Sequence, residues 1–235
     1  MFKENPRQLY RELGQKEIKV EETPPKDDME QYWRKIWEDT KSHDQKASWI
    51  KEQENLHRDI QEQEWKEITM EELDCTIKRA NNWKSPGIDM LPNFWLKYIT
   101  SLHAELVKAF NVIMNIPERT PDWLTKGKTH LLAKNDKTED PKNYRPITCL
   151  STSYKILTSI LSNRTYNFLE ENNLLPIEQK GCRRNSYGCK DQLLINKMVL
   201  EDVRSRSKNI STAWIDYRKA FDSVPHTWIT ECLSM

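Results

Sequence analysis

The chain has 235 residues, 37% hydrophobic and 31% charged, enough for one large or two small globular units with a lean apolar interior. Five Cys without paired spacing, a charged start and no apolar run near the roughly 20 residues of a spanning helix argue against a disulfide scaffold or a membrane protein. They predict a soluble chain in a reducing compartment. The net charge of +1 conceals an asymmetry, because residues 1–75 carry 13 Lys+Arg against 20 Asp+Glu and the remainder 24 against 16, a basic majority that suits a polyanion without requiring one.

Residues 1–28 are charged, contain Pro24-Pro25 and lack apolar periodicity, which predicts a weakly structured arm with packing beginning at Met29. Over residues 29–67, Trp33, Ile36 and Trp37, then Trp49, Ile50, Leu56, Ile60 and Trp65, recur at three to four residues or multiples of that spacing. They predict amphipathic helices with polar outer faces, the tryptophans serving as packing anchors. "TMEEL" reads as a capping box: the Thr69 hydroxyl accepts the Glu72 amide and the Glu72 carboxylate reaches back, with Leu73, Ile77 and Ala80 on one face of a helix ending near Asn81-Asn82. In "WKSPGIDMLP", Pro86-Gly87 predicts a turn and Asp89 a cap for the next helix, where Trp95, Ile99, Leu102, Leu106 and Phe110 keep helical spacing as far as Pro117.

"KTHLLAK" predicts a strand ending at Lys134, followed by the polar loop "NDKTEDPKN" and a second strand "YRPITCL". Helical periodicity returns from Leu150 to Asn172 through Tyr154, Leu157, Leu161 and Phe168. An irregular basic stretch, "LLPIEQKGCRRNSYGCKDQ", leads to a helix marked by Leu194, Met198 and Val203. "ISTAWIDY" predicts a strand with Ala213, Ile215 and Tyr217 on one side and Trp214 and Asp216 on the other. This order is that of an α+β architecture. Cys182 and Cys189 lie seven apart without a His nearby in sequence, a poor zinc pattern that points to two structural thiols.

Four stretches, "NNWKSPGIDMLPNFWLK", "HLLAKNDKTEDPKNYRPITCLSTSYKILTSIL", "LLPIEQKGCRRNSYGCKDQLL" and "AWIDYRKAFDSVPH", resemble in order and spacing the fingers and early palm motifs of reverse transcriptases from non-LTR retrotransposons. Among these the chain looks most like elements carrying a restriction-like endonuclease, whose upstream helices are similar to "YWRKIWEDTKSHDQKASWI". The resemblance runs from about Met29 to the last residue. It implies a partial right-hand polymerase fold: a helical N-terminal extension over 29–67, then fingers and an incomplete palm over 68–235, with no thumb.

The resemblance also implies roles. Asp216 matches the family's first metal-binding and catalytic aspartate, and the Tyr217 carbonyl can add a second oxygen; hard Mg2+ ions want such ligands. Asp222, six residues on, reads instead as a helix cap ahead of Pro225. Phe221 matches the ring that lies under the sugar of an incoming nucleotide and rejects a ribose 2′ hydroxyl. Lys134 and Arg145 match residues that contact the triphosphate, Arg offering a fork and Lys a point charge. Gln179, Lys180, Arg183 and Arg184 match template contacts, although Cys182 stands where the family often has an aromatic ring.

The family's other metal carboxylates come from a later aromatic-x-Asp-Asp hairpin, whereas Asp216 and Asp222 are the only Asp beyond residue 202. The expectation is therefore a truncated RNA-directed DNA polymerase domain, inactive alone, because two ions about 3.5–4 Å apart need several oxygens. The ancestral partners would be an RNA template and a DNA primer, with weak RNA binding kept here. Two alternatives stand beside this: a retained nucleic-acid-binding module, or a protein-interaction module built on the Trp-bearing helices. An unpaired edge on "ISTAWIDY" would favour self-association. An intracellular, nuclear location would follow from the life style of such an element.

Overall fold

The computed structural model describes residues 22–39, 41–217 and 220–234. They fold as two compact units, each made of two stretches of chain: residues through Ser42 with Ile68–Leu157, and His43–Glu67 with the chain from Thr158 onward. The expected arm lies partly outside the described residues. Where it is described it differs from expectation, since Pro24 is already buried and helix α1 spans Lys26–Trp37. Asp27 and Asp28 in its first turn and Arg34 and Lys35 in its last complement the helix dipole.

The expected helical extension is divided between the units. α1 belongs to the first, where Trp33 is buried and shares with Thr129 and Leu131 the lining of one open groove. Helix α2, Ser48–His57, belongs to the second, where Trp49 meets Trp228 edge to face at 4.9 Å. Trp33 is the buried residue of α1, whereas in α2 the buried residue is Ile50 and Trp49 stays about half exposed.

In the first unit, helix α3 (Met70–Arg79) opens with the expected capping box complete in both directions and buries Leu73 and Ile77. Asn111 holds the residue ahead of it, accepting the Ile68 N–H at 2.7 Å and donating to the Ile68 carbonyl at 3.1 Å. The single helix expected as far as Pro117 is broken into α4 (Asn93–Tyr98), a 3-10 turn (Thr100–Leu102) and α5 (His103–Asn115). His103 explains the break. Its buried ring sets Nε2 2.7 Å from the Leu96 carbonyl and Nδ1 2.8 Å from Asp74 Oδ1, so a side chain occupies a carbonyl that a continuous helix would have used.

A 3-10 turn (Pro117–Arg119) and the short helix α6 (Asp122–Thr125) lead to the hairpin of β1 (Gly127–Ala133) and β2 (Tyr144–Leu150), as expected. The strands are antiparallel, with Leu132 opposite Arg145 and Ala133 opposite Tyr144. Helix α7 follows, Thr152–Glu171, burying Ile156, Leu157 and Ile160. Leu157 was expected in its buried stripe; Ile156 and Ile160 each lie one residue before the expected Leu157 and Leu161, because the apolar face is turned by one position.

The second unit is sparsely packed. Of its described apolar residues only Ile50 and Ile160 are buried, against ten in the first unit, including Trp33, Leu73 and Phe110. Arg164 ties the approach to the first unit's sequence back to α7 by donating to the Lys66 and Glu67 carbonyls and stacking over Trp65 at 5.1 Å. Helix α8 spans Cys189–Ser205 with no buried residue. The strand expected at "ISTAWIDY" is absent: residues 210–217 carry no regular secondary structure, and Trp214, Ile215 and Tyr217 are each at least 74% exposed. A strand exists only by pairing, and the only sheet among the described residues is β1–β2. Short helix α9 (Ala220–Ser223) contains Asp222, and α10 (His226–Ser234) starts after Pro225, whose carbonyl accepts the Trp228 and Ile229 N–H groups. Pro225 thus takes the cap position, three residues beyond the Asp expected there.

Candidate functional site

The hairpin is built to present its tip. Lys134 donates its backbone N–H to the Asn143 carbonyl at 2.7 Å, which extends the ladder by one rung, and its ammonium reaches the Lys142 carbonyl at 3.2 Å. Strand alternation then places exposed Lys134 on the face of Leu132, whose cross-strand partner is exposed Arg145. The two sequence-predicted cations therefore share one side of the hairpin.

The opposite face is the anchor. Tyr144 is buried and its hydroxyl donates to the Thr138 carbonyl at 2.8 Å, while the Thr138 hydroxyl donates to the Glu22 carbonyl at 2.6 Å. Asn143 braces the loop by donating to the Lys137 carbonyl. Asp140 accepts the Lys142 N–H and pairs with the Lys142 ammonium, and this hydrogen bonding holds its carboxyl below the usual carboxylate range. Sequence reading passed over Thr138 and Tyr144; a hydroxyl in a charged loop and an aromatic at a strand start gave no distinctive signal.

The far end of the hairpin is clasped by the turn "SPGID". Asp89 was expected to cap the helix after it; instead its Oδ2 accepts the Thr152 N–H at 2.7 Å, capping α7 across 63 residues of sequence. Pro92 occupies the N-cap position of α4. The Thr152 hydroxyl donates to the Leu91 carbonyl, Ser151 to Leu124 and the Lys155 ammonium to Ser85. Gly87 is required by space: a β-carbon there would lie 2.3 Å from the Leu150 carbonyl carbon.

The second unit holds the remaining site residues. Asp216 and Tyr217 stand exposed on the irregular segment 210–217, and Phe221 on α9 is 95% exposed. Among the described residues no group of three or more His, Cys, Asp or Glu could hold a metal ion. Gln179, Lys180, Arg183 and Arg184 lie together on the loop between α7 and α8. The Gln179 side-chain amide donates to the Gly181 carbonyl, and the two arginines are engaged with α7 or the chain just after it.

Among known proteins, a reverse transcriptase (RNA-dependent DNA polymerase) family model matches residues 132–235. The retrovirus-related Pol polyprotein from the type-1 retrotransposable element R2 of Popillia japonica is 32% identical over 175 residues, covering 72% of this chain and 22% of that protein. The probable RNA-directed DNA polymerase from transposon BS of Drosophila melanogaster is 28% identical over 164 residues, 68% of this chain and 18% of that protein. A third relative, the probable RNA-directed DNA polymerase from the X-element transposon of the same fly, is 28% identical over 154 residues, or 64% and 16%. The chain thus spans about a fifth of the length of these curated relatives. No helix among the described residues is long and apolar enough to cross a membrane. With the hairpin and loop motifs matched in order, the chain belongs to the reverse transcriptases of non-LTR retrotransposons.

Proposed function

We propose that these residues supply the nucleotide- and template-facing fingers of an RNA-directed DNA polymerase, together with the first metal-binding segment of its palm. The observation that carries this reading is the hairpin, which sets Lys134 and Arg145 on one face and buries Tyr144 beneath a braced tip. Two cations fixed on one rigid face suit a triphosphate, Arg145 by a fork and Lys134 as a point charge. Phe221 would lie under the sugar and select deoxyribose, and Asp216 with the Tyr217 carbonyl would offer oxygens to Mg2+. The loop carrying Gln179, Lys180, Arg183 and Arg184 would face the RNA template. The 235 residues taken by themselves bring one carboxylate of the metal set, so as an isolated polypeptide they bind RNA without extending a primer.

Fluorescence anisotropy with a labelled single-stranded oligoribonucleotide tests the binding. Weak association that falls steeply between about 50 and 200 mM salt is expected of phosphate contacts. Equal binding at both salts, or none at the lower, defeats the reading. Primer extension on an RNA template with magnesium or manganese should give no product above background; template-dependent product lost in Asp216→Ala would overturn the claim that these residues are catalytically incomplete.

A further inference from the structure

The loop between α7 and α8 is held from both sides. Tyr166 and Glu170 lie one turn apart on α7, and the Tyr166 hydroxyl donates to Glu170 Oε1 at 3.0 Å. The same hydroxyl accepts the Arg184 N–H at 3.1 Å. The Arg184 guanidinium stacks over the Tyr166 ring, 4.2 Å from its centroid, and donates to Asn163 Oδ1. Arg183 enters from the other side: Nη1 donates to the Pro176 carbonyl at 2.7 Å and lies 3.3 Å from that of Leu175, while Nη2 is 3.1 Å from Glu170 Oε1. Its side chain is only 21% exposed.

The loop's distal half is tied to α8. Asp191 Oδ2 accepts the Tyr187 N–H at 3.0 Å and lies 3.0 Å from the Ser186 hydroxyl, which also accepts the Gly188 N–H. Gln192 donates to the Glu178 carbonyl at 2.7 Å. These ties hold Cys182, Asn185 and Gly188 at positive φ, a conformation the first two adopt at some cost.

We propose that Arg183 and Arg184 are positioning residues that preset this loop, and that its phosphate contacts with single-stranded RNA are made by Lys180 and Lys190. For Arg183 to grip a phosphate it would have to abandon two carbonyls and a partly buried carboxylate, leaving each without its donor. Among the described residues, the ammonium groups of Lys180 and Lys190 have no such commitment. Arg183 spreads its contacts over two nitrogens of one rigid plane, Nη1 toward the carbonyls and Nη2 toward Glu170, whereas a lysine brings a single point charge that cannot reproduce that fixed span. Charge and fork geometry are therefore separable by substitution. The inference rests on the RNA-binding reading only for its lysine half.

The test compares Arg183→Ala, Arg183→Lys, Tyr166→Phe, Lys180→Ala and Lys190→Ala in the 235-residue protein. Two readouts are used: amide hydrogen exchange of peptides spanning 173–188 without RNA, and the salt dependence of binding to a labelled single-stranded oligoribonucleotide. Positioning predicts that both Arg183 variants and Tyr166→Phe accelerate exchange in the loop about tenfold, with α3 and α5 unchanged. It also predicts that Arg183→Lys is as poor as Arg183→Ala in affinity and that neither alters the salt slope. Each lysine variant should leave exchange alone and reduce the slope by about 0.7, the value for one single-strand phosphate. The assignment is overturned if Arg183→Lys behaves as wild type while Arg183→Ala lowers the slope with exchange unchanged. If wild type binds no RNA, the Proposed function and the lysine half fail together, and unchanged exchange in the Arg183 and Tyr166 variants would separately sink the positioning half.

Discussion

Replacing Gly87 by Ala adds one methyl group where the backbone of the turn meets the junction of β2 and α7. That carbon would lie 2.3 Å from the Leu150 carbonyl carbon, 2.4 Å from its oxygen and 2.4 Å from the Ser151 nitrogen. Non-bonded carbons rest at about 3.5–4.0 Å, so one of the two backbones must withdraw by more than an ångström. Backbone cannot rotate away as a side chain can. Withdrawal also stretches the 2.7 Å bond from the Thr152 N–H to Asp89. Overpacking of this kind costs about 1–3 kcal/mol, and loss of the cap adds about 1 kcal/mol. At about 4 °C per kcal/mol for a unit of this size, the first unit should melt roughly 8–16 °C lower. Gly181→Ala is the control: the nearest atom to its added carbon is Gln179 Nε2 at 3.8 Å, so its effect should stay within about 0.5 kcal/mol. Thermal unfolding by circular dichroism, with hydrogen exchange of peptides covering 85–91 and 148–156, reads both variants. If Gly87→Ala melts where Gly181→Ala does, the close approach of turn and junction is wrong.

Other consequences are simpler to measure. Thr69→Ala removes the hydroxyl that accepts the Glu72 N–H and should cost about 1 kcal/mol by urea denaturation, with faster exchange confined to the first turn of α3. Asp140 has its folded pKa depressed by Lys142, so its contribution is present above the ordinary carboxylate pKa and lost as pH falls through the folded value. The stability difference between wild type and Asp140→Asn should accordingly be seen at neutral pH and vanish in acid, as melts across that range would show. Cys232 is exposed, yet partial desolvation and the neighbouring Glu231 charge raise its thiol above the ordinary pKa, so the resulting stability is present below that value and lost as pH rises through the folded one. Iodoacetamide near pH 8 should label Cys232 more slowly in native than in unfolded protein, a ratio that mass spectrometry reads directly.

The elements legible in the residue order are those whose cause is local. The capping box at Thr69–Glu72 closes within four residues, and the hairpin is set by two apolar runs around a polar loop. Where a long-range partner decides, local reading erred in an instructive way. Asp89 carried a cap signal, and it does cap a helix, but one begun 63 residues later. His103 falls inside the stretch where Trp95, Ile99, Leu102, Leu106 and Phe110 implied one continuous helix, yet its ring interrupts that helix by taking the Leu96 carbonyl. The alternation in "ISTAWIDY" describes a face for pairing, and a strand's hydrogen bonds belong to its neighbour as much as to itself.

Residue order alone determined the family, because the motif words around Lys134, Arg145, Arg183 and Asp216 are a matter of type and spacing. It also determined that the cations are many and the apolar residues few. Only the tertiary structure decided which cations are free. Arg183, Arg184 and Lys180 look alike in "QKGCRRN", but two of them meet Glu170, Tyr166 and Asn163 on α7 while the third does not. A charge's availability depends on what oxygen lies within about 3 Å of it, and that distance is set by how helix and loop fold back on each other.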